Sequence, residues 1–208
     1  MSIDADMLAN QVNTAYKFME ILHSQAISMI KDVETQLAII DVRCIKPGGY
    51  RFTPNPLPYS LDRPQPVIAD YYALYFTHSE HQVKSIPLKE GMPIIAFVKV
   101  TLREHRMLHP EVRSGIVTSF LKLEGRDGKW PVKFQDYIND FTNKALTLSL
   151  IGRMWAESGS IDKDYQDSYV SARIRGGGRR LADLPNSEAI AEFVVDPIKA
   201  LLKEANGL

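Results

Sequence analysis

Leu8, Val12, Ala15, Met19, Leu22, Ala26, Met29 and Val33 return in alternating steps of four and three. That is the period of an α-helix with one apolar seam, sustained over nearly four heptads. No glycine or proline interrupts the chain before Pro47, so the spacing predicts one helix over residues 4–40. Ser2, Asp4 or Asp6 can cap its start, because each offers a side-chain oxygen to the orphan amides of the first turn. A second column of Tyr16, His23, Ile30 and Leu37 runs beside the first, and Phe18, Ile21 and Ile27 widen the stripe. A two-stranded coiled coil needs only the narrow seam, so this helix must meet more than one element. Its length is roughly 50 Å at ~1.5 Å per residue, whereas a compact domain of this size is about 45 Å across. The helix therefore breaks, protrudes or runs along a dimer axis. Two compatible readings follow: a core helix laid across a sheet, and a helix that pairs two copies of the chain.

Behind this N-terminal segment (residues 1–45) comes a connection, residues 46–66. It holds half of the chain's 12 prolines: Pro47, Pro54, Pro56, Pro58, Pro64 and Pro66. Proline fixes φ and biases its predecessor toward extended backbone, which suits a packed connection or a PxxP-type ligand near Leu57 and Arg63. Residues 37–45 read equally as the end of the helix or the start of a strand.

An antiparallel meander is expected over 67–134. Residues 67–77 are aromatic and aliphatic throughout. Residues 93–103 alternate, with Ile94, Ala96, Val98, Val100 and Leu102 on one face and Lys99, Thr101 and Arg103 on the other. Residues 114–123 follow, then a turn at 124–128 and a short strand at 130–134. From Phe134 the helical period resumes through Ile138, Phe141, Ala145, Leu148, Gly152 and Trp155, predicting a second long helix to about residue 156. The polar residues 157–166 read as a loop and 169–175 as an edge strand. The end reads as two short helices, one capped by Asn186 and one with Asp196 as cap and Pro197 at its first position, and Gly207 suits the stop. The fold class is α+β, with residues 1–208 as one domain: two long helices on an antiparallel sheet of about four to five strands, with short C-terminal helices. Hydrophobic content of 45% over 208 residues is enough for one continuous core.

Charge sets limits on partners. Lys plus Arg and Asp plus Glu both number 25, so the net charge is zero. That argues against nucleic acid or an anionic membrane as the partner of the whole chain, while leaving room for a local basic patch. The single cysteine, Cys44, has no internal partner, which favours a reducing compartment. Asp4 and Asp6 stand where a signal peptide would be basic and apolar, and no stretch is apolar enough to span a bilayer. The expected location is cytoplasmic.

Four of the 5 histidines form two pairs, His78 with His81 and His105 with His109, near Glu80, Glu104 and Glu111. Imidazole and carboxylate are zinc or iron ligands. In a meander, however, the two pairs fall at opposite ends of the sheet, about 30 Å apart at ~3.3 Å per residue, so a shared site fails and solvated turns are the plainer reading. His23, on the apolar flank of the long helix, reads as a core histidine.

The run Arg173, Ile174, Arg175, Gly176, Gly177, Gly178, Arg179, Arg180 is the most distinctive in the chain. Glycines expose backbone N–H groups and arginines supply forked donors, which together suit a phosphate, a nucleotide or a nucleic-acid backbone. It lacks the P-loop Lys-Ser/Thr and the dinucleotide-binding spacing. The competing reading is a solvated turn between an edge strand and the final helices. Asp162, Asp164 and Asp167 resemble part of a calcium loop, but its glycine and closing glutamate are missing. Tyr71, Tyr72, Tyr75 and Phe76 suit either a ligand pocket, through Tyr71 and Tyr75, or simple core. Cys44 reads as a small buried hydrophobe. No HExxH, GxSxG or CxxC occurs, and no catalytic residue or cofactor is identified.

The leading expectation is a non-enzymatic module that senses a small molecule or binds protein, dimeric through the N-terminal helix. An alternative is an enzyme acting on an anionic or phosphorylated substrate held by residues 173–180, with His78, His81, His105 or Glu104 as acid or base. A third is a local nucleic-acid contact through the same run.

Overall fold

The structure, a computed structural model, describes residues 4–44, 71–78, 95–102, 109–123, 160–166 and 170–205. The connection at 46–66, the short strand at 130–134 and the second long helix fall outside them. Helix α1 spans Ala5–Ala38 and is about 50 Å long. The Asp4 carboxylate accepts from the Asp6 amide at 3.0 Å and caps the first turn. The helix ends where Asp41 takes φ 57°, a left-handed conformation that aspartate tolerates better than most side chains. One residue later β1 (Val42–Cys44) begins, so the ambiguous stretch is both helix end and strand start.

Among the described residues, six antiparallel strands form one sheet in the order β1-β2-β3-β4-β6-β5. Strands β2 (Tyr71–His78), β3 (Ile95–Thr101) and β4 (Glu111–Leu123) continue the expected meander. The register runs Phe76–Ala96–Ile116 and Tyr72–Val100–Val112 across all three. The other end of the sheet departs from expectation. Residues 157–166 are not all loop, because Ser160–Gln166 is β5, the edge strand. The neighbouring strand β6 runs from Val170 to Arg180 and lies between β4 and β5, so it is longer than expected and is not the edge.

A 3₁₀ turn, Leu181–Asp183, leads into the last helical segment. Asn186 caps α2 (Ser187–Ile190), accepting from the Ala189 amide at 2.9 Å, as expected. The second cap fails: Asp196 has helical backbone (φ −66°, ψ −38°) and lies inside a continuous run. A π-helical turn, Ala191–Val195, joins α2 to α3 (Asp196–Ala205). Pro197 explains the wide turn. It has no N–H to donate and its ring would crowd the carbonyl four residues back, and the extra residue of a π-turn relieves both. The Asp196 carboxylate instead accepts from Lys199 Nζ at 3.2 Å.

One face of the sheet carries the main core. Leu22, Ala26, Met29, Ile30, Val33 and Leu37 of α1 pack with Tyr72, Phe76, Val98, Val100, Val112 and Ile116, and Val194, Val195 and Ile198 close the other side. The opposite face is buried too, at Ile95, Phe97, Val117, Ile161 and Ile174. Among the described residues no helix is long and apolar enough to cross a membrane.

Candidate functional site

The arginine-glycine run is strand, not loop, and β6 explains its composition. Gly176 pairs directly with Gly115 of β4. A Cβ on Gly115 would lie 2.2 Å from the Arg175 carbonyl oxygen, and one on Gly176 would lie 2.3 Å from that of Ser114. The strands approach so closely here that neither position accepts a side chain. At this point of the ladder the glycines serve sheet geometry.

The arginines are engaged as well. Strand alternation places Arg173, Arg175 and Arg179 on the helix-covered face. Arg173 grips Asp162 of β5 with both forks, Nε–Oδ1 at 2.7 Å and the second guanidinium nitrogen to Oδ2 at 2.9 Å. Arg175 reaches the same carboxylate at 3.3 Å and Glu204 of α3 at 2.8 Å. The hydrogen bond from Arg173 holds the Asp162 carboxyl below the ordinary carboxylate range, and the nearby Arg175 charge adds to it. Arg180 binds Asp183 through two contacts at 3.1 and 3.0 Å and lowers its pKa in the same way. Arg179 lies over the Phe193 ring, 5.0 Å from its centroid. Asp162 and Asp164 are therefore strand residues and not part of a loop.

Of the histidine pairs, His78 closes β2 beside Val42, while His109 precedes β4, whose first residue pairs with Thr101. These are opposite ends of the sheet, as the meander argument required. His81 and His105 lie outside the described residues, and among the described residues no cluster of three potential ligands forms. His23 is half-buried against Tyr72, with Nδ1 2.6 Å from the hydroxyl and the rings edge to face. Burial raises the Tyr72 pKa, so folding favours the protonated hydroxyl. Tyr71 and Tyr75 share the second sheet face. Tyr75 is half-buried there, and the side chain of Tyr71 lies outside the description.

Sequence reasoning missed the chemistry of that second face. Lys99 and Arg113 sit directly opposite one another on β3 and β4, and are only 3% and 4% exposed. Arg113 is ion-paired to Glu111 on its own strand. Two buried cations side by side are costly unless compensated, and the alternation in 93–103 had placed Lys99 on the polar face.

Among the described residues, the exposed large apolar side chains cluster on α1. Every residue from Asp4 to Phe18 is exposed, and burial begins only near Met19. Met7, Leu8, Val12, Tyr16, Phe18 and Ile21 are each about half exposed or more, Phe18 reaching 61%. Leu8, Val12 and Tyr16 lie in line with the buried Leu22, Ala26, Ile30 and Val33, and Met7, Phe18 and Ile21 form an adjoining face. The apolar stripe thus runs out of the core and along a helix that stands clear of the sheet. No family model, curated protein or solved structure matches this chain.

Proposed function

We propose that the protein is a non-enzymatic interaction module that pairs with a second copy of itself through the exposed half of α1. The observation that carries this reading is the continuity of the stripe, which buries residues 22–37 and then continues, equally apolar, over residues 7–21. Six large side chains at about half exposure offer on the order of 500 Å² of apolar surface. That is at the upper end of what a monomer leaves uncovered and short of the ~800 Å² per partner of a standard interface, and the polar flanks of a helix pair supply the remainder. A two-fold pairing brings the same stretch of each copy together, so one stripe needs only itself as partner.

An anionic or phosphorylated substrate at residues 173–180, or a nucleic-acid backbone there, ranks below this. It would have to displace Asp162, Glu204 and Asp183 from arginines that already hold them. Sedimentation velocity on the full chain tests the pairing. The wild-type is expected to be a dimer at about 100 µM. The triple variant Leu8→Glu, Val12→Glu, Tyr16→Glu keeps helix propensity and touches no core contact, so it should be a folded monomer. A wild-type chain that stays monomeric at that concentration refutes the reading.

A further inference from the structure

The exposed stripe of α1 is aligned with the part of the helix that is already covered. Ala26, Ile30, Val33 and Leu37 follow Leu8, Val12, Ala15 and Met19 by 18 residues, which is five whole turns at ~3.6 residues each. Those four later residues are 1% exposed or less and belong to the core against the sheet. One line along the helix is therefore exposed at Leu8, Val12 and Ala15 and lies on the sheet from Ala26 onward. The adjoining face behaves alike. Gln25, Ser28 and Asp32 follow Ile21 in steps of four, three and four, and stand across a cleft from Leu184, Asn186 and Ile190, in the segment from β6 to α2. Helix α1 also packs on α2 and on the π-turn behind it. Both apolar faces of the exposed half thus run, further along, into the chain's own domain.

That continuity limits how a second copy can lie. Two parallel helices stay side by side along their whole length, with about 8–10 Å between axes. A parallel partner seated on Leu8 and Val12 would carry its own residues 26–37 through the space that the sheet occupies. One seated on Met7, Phe18 and Ile21 would meet the segment 181–190 instead. An antiparallel partner leaves in the other direction, beyond the first turn and away from the sheet. A steep crossing also clears the domain, but it covers only about two turns of a stripe that runs about 21 Å from Met7 to Ile21.

We infer that the two copies pair antiparallel, exposed half against exposed half, so that the first turn of each α1 reaches the edge of the other's core. This rests on the pairing proposed above and adds its orientation and register. Full overlap runs from Ala5 to Leu22, because Leu22 is the first buried residue of the helix. It sets Leu8 against the partner's Met19 and Val12 against the partner's Ala15, with the two-fold axis between residues 13 and 14. The short Val12 and Ala15 let the backbones approach at the centre, and Tyr16 and Phe18 flank the seam. The pair is a rod of about 75 Å with one domain toward each end.

Double electron-electron resonance on the nitroxide-labelled full chain tests the arrangement, with Cys44→Ser removing the native thiol. Asn13→Cys and Lys31→Cys carry the label in turn, both at exposed positions outside the stripe. In the antiparallel pair the two residue-13 labels lie across the helix pair at about 25 Å, whereas the residue-31 labels are about 50 Å apart along the rod at ~1.5 Å per residue. In a parallel pair every residue stands beside its own copy, and both positions give the same short distance. A dimer with equal distances at the two positions overturns the orientation and leaves the pairing standing. A chain that sediments as a monomer and shows no dipolar coupling removes the pairing, and this inference with it. Small-angle X-ray scattering on the unlabelled wild-type dimer serves if the Cys44→Ser chain does not fold. Antiparallel helices hold the domain centres about 50 Å apart and give a second maximum there in the distance distribution. A single maximum, from two domains in contact, overturns the inference.

Discussion

Replacing Gly176 with alanine tests the reading of the arginine-glycine run as sheet geometry. The new Cβ would sit 2.3 Å from the Ser114 carbonyl oxygen and 2.8 Å from the Gly115 Cα, inside the 3.0 Å that real Cβ atoms keep. Both obstacles are backbone, so no side chain can swing aside and β4 and β6 must part locally. Overpacking of this kind costs about 2 kcal/mol, and the ladder hydrogen bonds stretched by the separation add about 1 kcal/mol. Alanine returns about 0.5–1 kcal/mol by restricting the unfolded chain. The net loss is about 2 kcal/mol, which a urea slope of about 2 kcal/mol/M turns into a midpoint roughly 1 M lower. Gly115→Ala should behave alike, since its Cβ meets the Arg175 carbonyl from the facing strand. Once one alanine has spread the strands the second finds room, so the double variant should lose clearly less than the sum. Urea unfolding of the four proteins by circular dichroism decides it. A Gly176→Ala chain as stable as wild-type would mean that the glycines are not there for close approach, and the anion reading of the run would regain its main support.

Tyr72→Phe removes the hydroxyl hydrogen-bonded to His23 Nδ1 and should lower stability by about 1 kcal/mol at neutral pH, measured by urea unfolding. The same residue gives a pH signature. Its pKa is raised from 10.0 by folding, so its contribution is complete below pH 10 and is lost as pH climbs toward the folded value. Wild-type should therefore weaken above pH 10 more steeply than Tyr72→Phe, and parallel profiles would contradict the assignment. Asp162 titrates the other way. Its pKa lies below the ordinary 3.8, so its pairing with Arg173 and Arg175 is intact above that pH and fails as pH falls further. Asp162→Ala should lower the Tm by no more than a few degrees near neutral pH, less in high salt, because the bridge is exposed. Deleting residues 4–18, all exposed, should leave the domain folded with an unchanged Tm at low concentration and remove any rise of Tm with concentration.

Sequence reasoning reached α1, the meander and the Asn186 cap, because each rests on a strong local signal, and it left the α1 cap open among Ser2, Asp4 and Asp6, of which the structure uses Asp4. It lost β5 and most of β6 for physical reasons. Ser160–Gln166 is an edge strand whose helix-side face carries Asp162 and Asp164 to meet arginines, so only Ile161 signals burial. Three consecutive glycines normally mark a break in a strand, and here a cross-strand glycine partner 61 residues away reverses that preference. Lys99 misled for a different reason. Alternation reports two faces, but it cannot report that both are covered.

The exposed half of α1 also bears on why this helix is so regular. A helix of 34 residues that ended its apolar stripe at the edge of the sheet would leave its first turns polar, to face water. Here Met7, Leu8, Val12, Tyr16, Phe18 and Ile21 keep the first half as apolar as the second, although each stays about half exposed. Isolated helical turns gain little from propensity alone, so these side chains do not serve to hold their own backbone in shape. Their surface stabilises an assembly or it invites aggregation. The flanking charges, Asp4, Asp6, Lys17 and Glu20, mix both signs along the same stretch and oppose unspecific stacking. A partner with one fixed register meets both conditions. If instead sedimentation shows polydisperse growth with concentration, rather than one dimer, the stripe is not self-complementary and a different protein must cover it.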